Sequence, residues 1–261
     1  MIRDLLIRGL ITGVVAGLLS FGFAKTFGEP PVELAIAFEE QQAHAGHSHH
    51  DDHAHGTTTA EAAEAEPELV SRDVQAGLGL ITGVVVYSAA LGGIFALVFA
   101  FAYGRLGALR ARATAATLAL FGFVTITLVP FLKYPPNPPA VGNPETLDLR
   151  TILFFGVIAL SIAAAALSVS LFRRWQARRG SWNAAQIAIA TFVGLNAAAL
   201  FMLPSFNDVP AAFSASLLWD FRIATFGVQA VLWATFGLLF GALAERLLEA
   251  KRPSRMTLQR G

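Results

Sequence analysis

Twelve residues, "HAGHSHHDDHAH", hold every histidine of the chain: His44, His47, His49, His50, His53 and His55, with Asp51 and Asp52 among them. Neutral imidazole is the commonest protein ligand for zinc, nickel, cobalt and copper, and a carboxylate adds a harder oxygen donor. So dense a set can supply several overlapping sites of roughly four to six ligands. Gly46, Ser48 and Gly56 argue against a rigid cage. The segment is expected to fold around a divalent ion or to hold ions in exchanging arrangements. The competing reading is a solvated polar loop, but a chain that places all its histidines in one patch favours metal. Such a site follows the Irving–Williams order, so it prefers copper, nickel or zinc over cobalt and cannot by itself select cobalt.

Immediately upstream lies "GEPPVELAIAFEEQQAH". Pro31 can occupy the first turn of a helix, and Val32, Leu34, Ile36 and Phe38 give that helix apolar surface. In a persistent helix Glu40 and His44 are i,i+4 neighbours on one face, and Glu33 lies two turns from Glu40. Glu33 and Glu40 are therefore candidate accessory ligands. The alternative is a lid helix in the membrane interface whose carboxylates are merely solvated.

These residues need a scaffold, and the rest of the chain is built for lipid. Of 261 residues 55% are hydrophobic and 14% charged, against about 25% charged in soluble domains. The apolar residues fall in long blocks, and about 20 helical residues cross a hydrocarbon layer of roughly 30 Å. Six spans are expected: Gly9–Phe27, one within Val74–Gly104, Ala113–Leu132, Thr151–Phe172, Ala184–Leu203 and Ile223–Ala244. The first is read as a span and not a leader, because "FGFAKTFGEPP" offers no small-x-small cleavage site. Lys25 near its end can snorkel.

Basic residues in short loops mark the cytoplasmic side. Arg3 and Arg8, the cluster Arg105, Arg110 and Arg112, the cluster Arg173, Arg174, Arg178 and Arg179, and the tail from Arg246 to Arg260 all fall on one side of a six-span arrangement. Fifteen of the 18 acidic residues fall on the other. The expected fold is an all-α polytopic bundle of six transmembrane helices, both termini cytoplasmic, with a long His-rich external loop. Its parts are the N-terminus and first span (1–27), the His-rich loop (28–73), a five-span bundle (74–244) and a basic tail (245–261). The repeated "GLITGVV" presents Gly9/Gly13 and Gly79/Gly83 as small-xxx-small faces for close helix approach.

The deepest strong polar groups are Asn196 and Gln229, each a candidate for a transport pathway or for interhelical hydrogen bonding. Thr125, Thr127 and Ser88 are weaker, and Met202 is expected to be a packing residue. The loops "PFLKYPPNPPAVGNPETLDLR" and "LPSFNDVP" and the start "LLWDFR" look like a stiff, packed external cap. A plainer reading makes them rigid connectors, with Tyr134 and Trp219 as interfacial anchors. The chain has no cysteine, no GxxxxGK[ST], no HExxH and no GxSxG. It is therefore not read as an enzyme, and no nucleotide, nucleic acid or organic cofactor is expected.

Three stretches, "GEPPVELAIAFEEQQ" ahead of the histidines, "PFLKYPPNPPAVGNPET" and "LPSFNDVPAAFSASLLWDFR", resemble the CbtA family of cobalt transporter subunits. The resemblance extends over nearly the whole chain. It implies cobalt as the transported ion, a link to cobalamin biosynthesis, and a small single-span partner with its own histidine motif. It also implies five spans, where the charge alternation supports six. The first reading is thus a bacterial inner-membrane subunit that takes up a divalent metal captured by the external loop. The second is a membrane metal-binding, chaperone or assembly subunit without a pore of its own.

Overall fold

The computed structural model describes residues 1–47 and 71–250, and among them every regular element is helical. The elements are α1 (Ile2–Phe23), α2 (Glu29–His47), α3 (Arg72–Val74), α4 (Leu80–Ala102), α5 (Ala111–Gly122), α6 (Val129–Lys133), α7 (Pro144–Met202), α8 (Ala215–Thr235) and α9 (Gly241–Ala250). Wider π turns at Ala24–Gly28, Gln75–Gly79, Phe123–Leu128 and Phe236–Phe240 join α1 to α2, α3 to α4, α5 to α6 and α8 to α9 without a break in the coil. Five helices are long and apolar enough to cross a membrane. Their outward-facing side chains, such as Ile94, Phe101, Ile152 and Leu238, are large and apolar, as a lipid-facing surface requires.

The tightest contact is the antiparallel pair α1 and α4. A methyl group added at Gly9 would strike the carbonyl oxygen of Gly92, and one at Gly13 that of Ser88; at Gly17 it would meet the Cα of Val85 at 2.7 Å. Glycine and serine let the two backbones touch, the usual means of helix association where lipid removes the hydrophobic drive. The same register continues past the membrane-length part. Lys25 Nζ donates to the carbonyl of Ala76 at 3.3 Å, and Glu29 pairs with Arg72. Of the two repeats only Gly9/Gly13 is used: Gly83 faces open space, and Gly79 meets only its own helix at Val74. Ser88 and Gly92, about one and a half and two and a half turns beyond Gly83 along α4, take that place because antiparallel α1 reaches α4 there.

Around this pair α5, α8 and α9 close the core. Phe95, Phe99, Trp233, Phe236 and Phe240 are buried together, with Phe95 stacked on Phe236 at 5.3 Å and set edge-on to Phe240 at 5.3 Å. Gly122 makes room for the Trp233 ring, and Trp233 Nε1 donates to Thr127 Oγ1 at 3.2 Å.

α7 differs. Its 59 residues contain one non-helical position, Gly180 at φ 77°, ψ 158°, a region that glycine alone occupies without strain. The two arms, 144–179 and 181–202, fold back on each other. Val157, Leu153 and Phe154 share a cluster with Phe192, Leu200 and Leu203, and Thr146 at one end bonds Asp208 beyond the other. Asn143 caps the start, accepting from the backbone N–H of Glu145 at 2.9 Å, with Pro144 in the first turn. Met202, expected to pack, is 84% exposed, because it sits at the outer end of the hairpin where no helix faces it.

Candidate metal-capture site

α2 places the described part of the histidine region. Pro30 and Pro31 open α2 directly after the wider turn at Ala24–Gly28, where the coil runs on without their N–H groups. Pro31, Ala35 and Phe38 recur at helical spacing and form the docked stripe. Ala35 is fully buried against Val141 and Phe213, and the Phe38 ring meets Phe213 edge-on at 5.1 Å. At 100° per residue, Glu33, Glu40 and His44 lie on the side away from this stripe, and all three are exposed. Glu40 and His44 are thus neighbours on one solvent-facing surface, with Glu33 two turns back. Leu34, expected to add apolar surface, is 60% exposed and takes no part in docking. His47 is the last residue of α2. His49, His50, Asp51, Asp52, His53 and His55 lie outside the described residues. Among the described residues no three His, Asp or Glu side chains converge as a metal cage.

The cap beneath α2 is a set of satisfied polar contacts. Asp208 Oδ2 accepts from Thr146 Oγ1 at 2.8 Å and from Arg150 at 3.2 Å, tying both ends of α7. Arg222 donates to Asn137 Oδ1 at 2.9 Å and to the carbonyl of Pro136 at 3.3 Å, which binds the proline-rich loop to α8. Lys133 donates to Ser205 Oγ at 2.8 Å. Tyr134 is not an outward anchor. It is buried with Val129 and Val157, its hydroxyl donates to the carbonyl of Pro204 at 2.9 Å, and desolvation raises its pKa above the ordinary phenol value. Trp219 is 61% exposed, as an anchor would be. An acidic group that sequence reasoning missed is Glu29. It is buried, its Oε2 accepting from Arg72 Nη2 at 2.9 Å. Its signal was the α1–α4 register, which is invisible until the two helices are paired.

The two deep amides are separated. Asn196 is 4% exposed; its Nδ2 donates to the carbonyl of Phe192 at 2.8 Å, and its Oδ1 has no partner among the described residues. Gln229 lines a cavity of about 580 Å³, with Tyr87, Thr127, Arg150, Thr151 and Thr225 around it. Asn196 does not line that cavity. Hydroxyl and amide oxygens there can replace some of an ion's water; the one cation on the wall, Arg150, is neutralised by Asp208.

No curated protein and no solved structure matches the chain. The family described as "probable cobalt transporter subunit (CbtA)" matches residues 2–245, from the first residue of α1 into α9. That span takes in the glycine-packed pair, the docked helix, the cap and the hairpin together, so this chain belongs to the CbtA family of probable cobalt transporter subunits.

Proposed function

We propose that this chain is the membrane subunit of a divalent-metal uptake system of the bacterial inner membrane, with cobalt as its ion. His44, His47, His49, His50, His53 and His55, assisted by Asp51 and Asp52, capture the ion outside. Glu40 and Glu33 receive it along α2, and the cavity at Gln229 leads it into the bundle. One observation carries this reading: α2 is an unbroken helix, docked through Ala35 and Phe38, that points Glu33, Glu40 and His44 away from the cap at the threshold of the histidine patch. The fold-back at Gly180 supports counting α7 as two crossings, hence six in all, which the arginine distribution asks for with both termini cytoplasmic. A small single-span, histidine-bearing subunit is the proposed partner, and no catalytic step is assigned.

Uptake of radioactive cobalt into proteoliposomes tests the reading, with the full chain alone and with the single-span partner. Deletion of residues 44–55 should leave the protein folded and reduce uptake at nanomolar metal, with recovery at micromolar metal; equal uptake at both concentrations refutes capture. A second reading, a metal-binding or assembly subunit without its own pore, draws on the lack of any three converging ligand side chains among the described residues. It requires that the chain alone give no uptake while still binding cobalt.

A further inference from the structure

The cavity at Gln229 lies under the cap; a second, of about 660 Å³, lies toward the Gly180 end of the hairpin, between the two arms of α7, α5 and the loop after α4. The two share walls on two helices. On the first arm of α7, Leu147, Thr151, Phe154 and Ile158 line the cap cavity, and Ser168, Phe172 and Gln176 line the second. Ser161 and Ala165 divide the gap from Ile158 to Ser168 into steps of three, four and three residues. That spacing keeps all nine positions within an arc of about 100°, so one stripe of the arm runs from cavity to cavity. The facing helix repeats the pattern in reverse. Thr117 and Phe121 of α5 line the second cavity, Ile126 and Thr127 in the wide turn after it line the cap cavity, and Thr125 is buried between. The cavities are stacked along one seam, divided by about 15 Å of the first arm.

The dividing stretch is small and polar. Ser161 and Ala165 are buried, and the hydroxyls of Ser161 and Ser168 have no hydrogen-bond partner among the described residues; nor has Asn196 Oδ1. Asn196 stands between the two serines in depth, because its neighbour Leu195 shares a shallow groove with Leu160, Ala164 and Leu167 across the hairpin. Three buried oxygens therefore follow one another, Ser161, Asn196, Ser168, and the last is on the wall of the second cavity. Polar groups in a hydrocarbon layer either bond one another across helices or face a water-filled route; these do not bond one another. We propose that the two cavities are the outer and inner halves of one pathway through this chain, and that a divalent ion crosses between them past Ser161, Asn196 and Ser168, whose oxygens replace part of its water. The identity of the ion rests on the uptake reading; the route does not. Close packing at Ser161 and Ala165 shuts the route midway, so the two halves are not open to each other and do not leak. Arg105 and Arg173 on the wall of the second cavity repel a cation, so the ion does not lodge there after crossing.

The chain has no cysteine, so single cysteines report water along the seam. A thiol reacts with a methanethiosulfonate as its thiolate, which forms in water and not in hydrocarbon. A membrane-impermeant reagent is applied to each side of vesicles holding the full chain, and labelling is read by intact mass. Gln229→Cys should label from the cap side and Ser168→Cys from the opposite side. Ser161→Cys should label at least about tenfold faster than Ala163→Cys, which lies about 200° around the same helix and is exposed on its outer face. Ala165→Leu, which fills the constriction, should slow labelling of Ser161→Cys and leave that of Gln229→Cys as it was, the second readout showing that the bundle is still folded. Labelling of Ser161→Cys no faster than Ala163→Cys overturns the route, as does labelling of Gln229→Cys and Ser168→Cys from the same side, or a rate at Ser161→Cys that Ala165→Leu leaves unchanged. Cobalt should slow labelling of Ser161→Cys severalfold. Failure of the uptake reading looks different: the labelling pattern holds, and cobalt protects nothing.

Discussion

The α1–α4 pair and the α7 hairpin are both antiparallel helix pairs, yet they are held in opposite ways. In the first, backbones touch: Gly9, Gly13 and Gly17 have no room for a single methyl group. In the second, Gly156 and Gly194 face open space. Both large cavities lie against the hairpin and neither touches α1. Close approach maximises dispersion contact over the whole length of a pair; loose approach forfeits it and leaves volume for ligands. The difference separates two regions: the glycine-packed pair fixes the frame, and the hairpin borders the two large cavities.

Substitutions that ask the same question of both regions break or sharpen this contrast. The largest effect is expected from Gly9→Leu, which forces α1 and α4 apart and should cost about 3 kcal/mol or more; thermal unfolding in detergent micelles reads it, and a shift below 1 °C would mean that the pair is not tightly seated. Glu29→Ala, which strands the half-buried Arg72 at the end of the same pair, should cost about 2 kcal/mol, largely recovered in the double variant with Arg72→Leu. Loss of the hairpin cap in Asn143→Ala should cost about 1 kcal/mol, visible as a lower unfolding midpoint. Smallest, and opposite in sign, is Gly194→Ala. Open space and helical backbone there predict a gain of about 0.5 to 1 kcal/mol. If Gly9→Ala and Gly194→Ala moved stability in the same direction, the contrast between the regions would fail.

Long apolar runs and their helical state were legible in the sequence, because in lipid an unbroken apolar run of about 20 residues satisfies its backbone groups within itself only as a helix. The cap was legible too, since proline-rich, aromatic loops have few ways to satisfy themselves except by mutual contact. Partners were not. Glu29 and Arg72 are 43 residues apart, and nothing local distinguishes a buried glutamate from the exposed Glu33. Tyr134 looked like an interfacial anchor from its position, but the carbonyl of Pro204, brought close only by the hairpin, gives its hydroxyl an internal acceptor. The choice of Ser88 and Gly92 over Gly79 and Gly83 depends on register, which composition does not encode. Asp51, Asp52 and the histidines from His49 to His55 lie outside the described residues, so their chemistry still rests on residue type and spacing.

The reversal at Gly180 uses a single residue, whereas helix–helix connections commonly take 2–8. Arg179 and Ser181 on either side remain helical. So short a joint has no slack. One arm cannot slide along the other without unwinding, and a displacement of either arm carries its partner with it. Whatever pushes on the wall of one cavity is thereby transmitted to the wall of the other, at the opposite end of the same hairpin. Inserting a few flexible residues at Gly180 would leave each arm helical but free the turn end, leaving only the cluster of Val157 with Phe192 and the bond of Thr146 to Asp208 to hold the arms in register.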